Sequence, residues 1–334
     1  MPLKIIRNDI TKVKADAIVN TANPRPVIGG GTDRAVYTAA GADKVLAERK
    51  AIGDIMPGNA AYTRAFALDA KYIIHTVGPA WEDGSHGERD ILHSCYKNSL
   101  ELAAELSCES AAFPLIATGV YGFPKDEALQ IALGEINRFL LSHDMLVYLV
   151  VFDADSFRLS GKLVGDIEEY IDEKAARVIR EAEFSLDRAY EARTLNSRVF
   201  TGFSAEKSRE KSLDEILSEH EKTFQQKLFE LIDARGISDV EVYKKANLTR
   251  KLFSSIRCNP GCRPKKATVA ALAVALKLNM EEFADLLARA GYALSPSDRS
   301  DRILTYFFKN QKYDIYEINA VLFNYGQQTL GYYE

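Results

Sequence analysis

Residues 19–41 read VNTANPRPVIGGGTDRAVYTAAG. A short apolar run, Ala17 to Asn20, leads into two Asn three residues apart, then a Pro-rich turn, Gly29-Gly30-Gly31, one acid and an Ala-rich helical stretch. Three consecutive residues without a Cβ can take positive φ and bring their N–H groups against a negatively charged guest. The pattern therefore predicts a strand, a phosphate cradle and a helix in that order. Asp33 follows the cradle at the expected start of the helix, where two readings are open: a capping carboxylate, stabilising by about 1 kcal/mol, or a general base.

Working outward, the same grammar recurs. Leu3 to Ile6 reads as a strand followed by the polar turn Asn8-Asp9-Ile10-Thr11. Asp33–Gly41 and Asp43–Lys50 read as two helices with a Gly break. Asn59–Phe66 and Tyr72–Val77 are strand candidates, the second stopped by Gly78-Pro79. Glu88–Leu106 carries apolar residues at helical period. Ser110–Ile116 is a buried strand candidate that runs into a second Gly loop, Ala117 to Pro124, and then a helix, Lys125–Leu141. Leu146–Phe152 contains VYLVVF, typical of a strand covered on both faces. Strands alternating with helices predict an α/β layered domain over residues 1–180. Both Gly loops follow a strand and precede a helix, so they are expected at the carboxyl ends of strands, facing one another across one cleft. His75, inside an apolar strand, reads as a core histidine rather than a base.

Composition limits what the chain can be. Its 334 residues exceed one ordinary core of about 100 to 200 residues, so two domains are expected. Hydrophobic content of 47% with 27% charged residues excludes disorder as the dominant state. A net charge of −4 gives no global basic field, so contact with nucleic acid would need a local patch. The N-terminus lacks a signal-peptide pattern, and no run reaches the roughly 18 apolar residues of a membrane span. A cytoplasmic protein without a membrane partner is expected. Cys95, Cys108, Cys258 and Cys262 are widely split, and no second Cys or His pair stands near the last two, so reduced thiols are expected rather than zinc.

Five segments in fixed order resemble the motif set of macro domains, the ADP-ribose-binding modules: Asn8-Asp9-Ile10-Thr11, Val19 to Asn23, Gly29 to Asp33, Ile74 to Pro79, and Thr118 to Gly122. The resemblance covers the first 160 or so residues, is most similar to the MacroD-like subtype, and implies a three-layer α/β/α fold. Members of that subtype remove ADP-ribose from modified acidic side chains and deacetylate O-acetyl-ADP-ribose. It implies that Asp9 accepts the adenine amino group, with Ile10 as a neighbouring backbone contact, and that Phe152 flanks the adenine. Gly29, Gly30 and Gly31 with Asn20 would form the first ligand loop; Thr118, Gly119, Val120 and Tyr121 would form the second, with Tyr121 beside the distal ribose. Asn23 would orient that ribose, and Asp33 would be the acidic residue of the catalytic loop. No cofactor or metal ion is implied; ADP-ribose is ligand or product, and an ADP-ribosylated protein is the partner. The sequence departs from the family at Ile28, where a fourth glycine is usual, and at Pro24 and Pro26.

Residues 181–221 are strongly polar and read as a linker or a solvated helix. Beyond them, residues 222–292 predict five short helices with a tight turn, Asn247-Leu248-Thr249, between the second and third. This resembles an XRE-type (lambda-repressor-like) helix-turn-helix domain, so the second fold unit is expected to be all-α. The resemblance implies DNA as a partner, read by Thr249, Arg250, Lys251, Ser254, Ser255 and Arg257, with Arg263, Lys265 and Lys266 on the backbone. The same bundle with a solvated basic face would serve as a protein-interaction module. Residues 293–334 read as further helices capping the bundle. A rival functional class is a non-catalytic ADP-ribose reader acting as a transcriptional regulator.

Overall fold

Six strands form one sheet in the order β1-β6-β5-β2-β4-β3. They are β1 (Leu3–Arg7), β2 (Ala17–Thr21), β3 (Ala60–Arg64), β4 (Tyr72–Thr76), β5 (Ser110–Pro114) and β6 (Leu146–Val151). The computed structural model describes residues 2–152, 163–170, 222–259 and 261–331. All neighbouring strands run parallel except β3, which pairs antiparallel with β4 at one edge. Alternation along each strand decides the layers. Ile18, Ile73 and Val150 point into a cluster with Val36, Tyr37 and Ala40 of α1 (Gly31–Ala40) and Val45 of α2 (Ala42–Ile52). Val19, Ile74 and Leu149 point the other way, onto Leu92, Tyr96 and Leu100 of α3 (Glu88–Glu105) and Leu129 and Ile136 of α4 (Lys125–Ser142). A strand with apolar side chains on both faces needs helices on both faces, which is the three-layer α/β/α arrangement.

Residues 163–170 form a helix, α5. The polar stretch 181–221 lies outside the described residues. From residue 222 the described residues form helices and no strands: α6 (Phe224–Arg235), α7 (Asp239–Lys245), α8 (Arg250–Cys258), α9 (Lys266–Ala275), α10 (Met280–Arg289), α11 (Arg299–Lys309) and α12 (Ile315–Asn324). Their starts are written locally, because Thr223, Ser238, Thr249, Asn279, Asp298 and Asp314 each accept a backbone N–H of the first turn. Among the described residues no helix is long and apolar enough to cross a membrane.

The helical half does not hang free of the sheet. One cluster of buried side chains runs from Leu149 and Leu129 through Val242 and Leu248 to Ile318 and Leu322. Strand β1 is the second edge, and its Leu3 is met by Asn247 from the α7–α8 turn. Asn247 Oδ1 accepts from Leu3 N at 2.8 Å, and its Nδ2 donates to Leu3 O at 3.0 Å. The side-chain amide thus stands in for a neighbouring strand residue. Asn247 holds the left-handed backbone, φ 54, that Asn tolerates better than other residues with a Cβ. Lys244 Nζ donates to Leu141 O at 3.0 Å, and the Arg7 guanidinium lies over the Phe323 ring at 5.7 Å.

Candidate functional site

Strands β2 and β5 are neighbours, so the loops that leave their carboxyl ends emerge side by side. One cleft is lined from both: Thr21, Ala22, Asn23 and Gly29 to Asp33 on one wall, Leu115 and Ala117 to Tyr121 on the other, and Lys125 at the start of α4. Gly30 is the N-cap of α1 and supplies no side-chain cap, leaving the first-turn N–H groups to an anion at a helix N-terminus. Gly31 has φ +57, and a Cβ on Gly29 would stand 2.7 Å from Asn23 Nδ2 and 3.2 Å from Asp33 Oδ2. Glycine is needed at 31 for the turn and at 29 for the close approach of two polar side chains. Ile28 is exposed and does not line the cleft. The departure from the family pattern therefore falls where a side chain fits outside the site.

Asp33 is almost wholly buried at the bottom of this cleft. Its Oδ1 accepts from Asn20 Nδ2 at 2.6 Å and its Oδ2 from Gly29 N at 2.5 Å. It is not the N-cap, since that position belongs to Gly30 and the amide it binds lies outside the helix. Burial raises its pKa, opposed by the Asn20 and Gly29 hydrogen bonds and by the Arg49 charge. A desolvated carboxylate held by two donors has an elevated proton affinity at a fixed position, the property a base requires.

Behind Asp33 a hydrogen-bond chain runs into the core. Asn20 Nδ2 also reaches His75 Nδ1 at 3.2 Å, and His75 Nε2 lies 3.0 Å from Thr63 Oγ1, which donates to Arg64 O. Burial pulls the His75 pKa down to about 3, so the ring is neutral. With Nδ1 accepting, its proton sits on Nε2 and faces Thr63. Both Asn20 amide protons are thereby used, while Asn20 Oδ1 is buried without a hydrogen-bond partner. The expected ligand contact of Asn20 is corrected: the side chain is fully buried under Asp33 and does not line the cleft, because alternation along β2 turns it to the same face as Ile18, beneath α1 and beside its register partner His75. Its chemistry is to hold the acid.

The second loop is built on Ala117, whose φ of 63 turns the chain away from β5. Thr118 Oγ1 donates to Leu115 O at 2.9 Å, so its hydroxyl is taken up by the loop. Tyr121 O accepts from Trp81 N at 2.8 Å, and Val120 is 90% exposed at the rim. A second niche adjoins the cleft: Asn8, Asp9, Ile10, Pro114, Val150 and Phe152 line it together with Gly31, Thr32 and Ala35. Asp9 caps a 3-10 turn, Ile10–Lys12, accepting from Thr11 N and Thr11 Oγ1. Those bonds hold its carboxyl below the usual range, and an ionised carboxylate keeps further acceptor positions. Phe152 is 73% exposed and offers a face for stacking. The structure thus brings Asp9, Ile10 and Phe152 to one niche, and Asn23, Asp33, Gly29, Gly30, Gly31, Thr118, Gly119, Val120 and Tyr121 to the other. Lys125 was not foreseen; the sequence signal was its place just after the second Gly loop.

In the helical half, α8 buries Phe253 and Ile256 and exposes Arg250, Lys251, Ser254 and Ser255. Three expected readers have partners within the chain. The Thr249 hydroxyl caps α8, Arg257 pairs with Asp239 and lies over Phe229, and Lys266 Nζ meets Asp301 Oδ2 at 2.6 Å. Arg263 and Lys265 remain exposed.

The family profile described as Macro domain matches residues 19–132. A macro domain-containing protein of Methanosarcina mazei is 43% identical over 167 residues, 49% of this chain and 89% of its own length. A protein of Citrobacter rodentium named O-acetyl-ADP-ribose deacetylase is 42% identical over 167 residues, covering 48% of this chain and 94% of its own length. Among solved structures, the Oceanobacillus iheyensis macrodomain with ADP is 36% identical, covers 46% of this chain and 85% of its own, and has a TM-score of 0.44.

Proposed function

The chain belongs to the macro domain family through its N-terminal half, and on that premise we propose that the paired niches bind ADP-ribose and that Asp33 hydrolyses an ester carried on its distal ribose. The observation that carries the reading is the position of Asp33, desolvated between Asn20 and Gly29 at the floor of a cleft whose two walls offer backbone N–H groups. Adenine would occupy the niche of Asp9 and Phe152, the diphosphate would lie across the start of α1, and the distal ribose would reach Asn23 and Tyr121. For an ester to an acidic side chain, a water oxygen bonds to the anomeric carbon, the carbon–oxygen bond to the carboxylate breaks, and Asp33 takes the water proton. For O-acetyl-ADP-ribose the same base takes the proton of a water that bonds to the acetyl carbon, the bond from that carbon to the ribose oxygen breaks, and the proton passes from Asp33 to the departing ribose oxygen. Loop N–H groups meet charge that is present throughout and so supply affinity, whereas aiming the water raises the rate. The test is to incubate the protein and Asp33→Ala with O-acetyl-ADP-ribose and with a protein mono-ADP-ribosylated on acidic side chains. Release by the wild type, lost in the variant while ADP-ribose still binds, supports the hydrolase. A wild type that binds ADP-ribose and releases nothing leaves the non-catalytic reader.

For the helical half we propose DNA as partner, supported by the exposed row Arg250, Lys251, Ser254 and Ser255 on one face of α8. Fluorescence polarisation on genomic duplex fragments at several salt concentrations tests it. Phosphate contacts demand affinity that falls steeply with salt, and binding indifferent to salt would sink the idea.

A further inference from the structure

Arg49, in the last turn of α2, is only 1% exposed, although arginine is almost never fully buried without partners. Its guanidinium is spent on main-chain carbonyls. Nη1 donates to Gly53 O at the end of its own helix, which a cation at a helix C-terminus explains. Nη2 reaches a different segment, donating to Pro24 O at 3.0 Å and Asn23 O at 3.2 Å. Ile55 N donates to the same Pro24 carbonyl at 2.9 Å, so the loop that carries Asn23 is tied to α2 through Arg49 and to the segment after α2 through Ile55. From the geometry we infer that Arg49 is a positioning residue for the hydrolytic loop: its planar fork fixes the Asn23–Pro24 backbone. This deepens the proposed hydrolase and rests on it for the meaning of the loop.

The Arg49 charge also acts on Asp33, favouring its carboxylate form against burial, and the other groups around Asp33 show why it stands out. Asn20 from β2 is neutral, His75 from β4 is neutral, Tyr37 on α1 is pushed up to about 12 by burial, and Tyr121 from the second loop is also raised by burial. Arg34 is exposed and bonds Gly29 O, Lys125 lines the open cleft, and Asp54 acts on Arg49. Arg49 is the buried cation of this set. Arginine and lysine differ here, because only the fork can reach carbonyls on two segments at once.

The experiment compares wild type, Arg49→Met and Arg49→Lys by carbon-13 NMR titration of the Asp33 carboxyl, by calorimetry with ADP-ribose, and by steady-state hydrolysis of O-acetyl-ADP-ribose. Arg49→Met is expected to raise the Asp33 midpoint and to lower kcat about 10- to 100-fold, with the ADP-ribose Kd held within about threefold, since the loop N–H donors and the adenine niche are untouched. Arg49→Lys keeps the charge and loses the fork, so it should lower kcat while moving the midpoint far less. An Asp33 midpoint that stays put in Arg49→Met overturns the inference, as does a wild-type kcat in Arg49→Lys. Should Arg49→Met fail to bind ADP-ribose, Arg49→Lys decides alone by its kcat. A wild type that hydrolyses nothing while the Arg49→Met midpoint still rises fells the hydrolase reading and leaves the electrostatic role of Arg49 standing.

Discussion

Replacing Asn247 by Ala should cost the protein several kcal/mol, and the figure can be built from contacts at the sheet edge. The substitution removes an acceptor from Leu3 N and a donor from Leu3 O, both at a buried position. Each main-chain group left without a partner costs about 1 to 3 kcal/mol. The backbone at 247 keeps φ 54, where Ala pays about 1 kcal/mol that Asn partly avoids. Together these give a loss of about 3 to 5 kcal/mol once water is allowed to reach part of the gap. Two assays read it. Urea unfolding should show a lower midpoint at constant slope, and the Leu3 amide, read by hydrogen exchange, should exchange about a hundredfold faster or more, at tenfold per 1.4 kcal/mol. Asn247→Gly relieves the backbone while losing the same two bonds, so it should recover only about 1 kcal/mol. A Leu3 amide within threefold of wild type, with an unmoved urea midpoint, would refute the account of Asn247 as a surrogate strand residue.

Other expectations concern the cleft. Gly29→Ala places a Cβ 2.7 Å from Asn23 Nδ2 and 3.2 Å from Asp33 Oδ2; turnover should drop about 10- to 100-fold with melting temperature nearly unchanged, and wild-type kcat in this variant would contradict the packing. Asp9→Ala should weaken ADP-ribose by about 10- to 100-fold, the scale of a hydrogen bond to a charged group, measured by calorimetry; equal affinity would move adenine elsewhere. Because burial raises the Asp33 pKa, the base form is lost as pH falls through a value above the ordinary carboxylate range. The acid limb of the kcat profile should therefore lie above the value of a free aspartate, and a limb at the free-carboxylate value would deny Asp33 the role of base.

Much of this architecture is legible in the chain itself. The strands were readable because a layer buried on both faces demands unbroken apolar runs, as in Leu146–Val151, and the helices of the second half because Ser238, Thr249 and Asn279 cap them locally. The two Gly loops marked both walls of the cleft. What stayed hidden depends on side chains that bind distant backbone and leave no periodic trace. Arg49, within AERKAI, reads as one more solvated helix cation, yet it is fully buried against the Asn23 loop. Asn247 reads as a turn former, and its partner lies 244 residues away. Asn20 reads as a ligand contact because of its neighbours in sequence; only the pairing of β2 with β4 shows that it faces His75.

Gly31 and Thr32 line both niches. On the proposed binding mode the first turn of one helix is therefore a ruler, setting the separation between the niche beside Phe152, where the flat ring would lie, and the cleft above Asp33, where the sugar would lie. A molecule that spans both joins two modest sites by its own covalent length, and the second engagement becomes intramolecular, with an effective concentration in the millimolar range for a short link. Fragments that fill one niche, such as a lone nucleoside or a lone sugar phosphate, forgo that gain however well they fit, so selectivity for length is built into the start of α1.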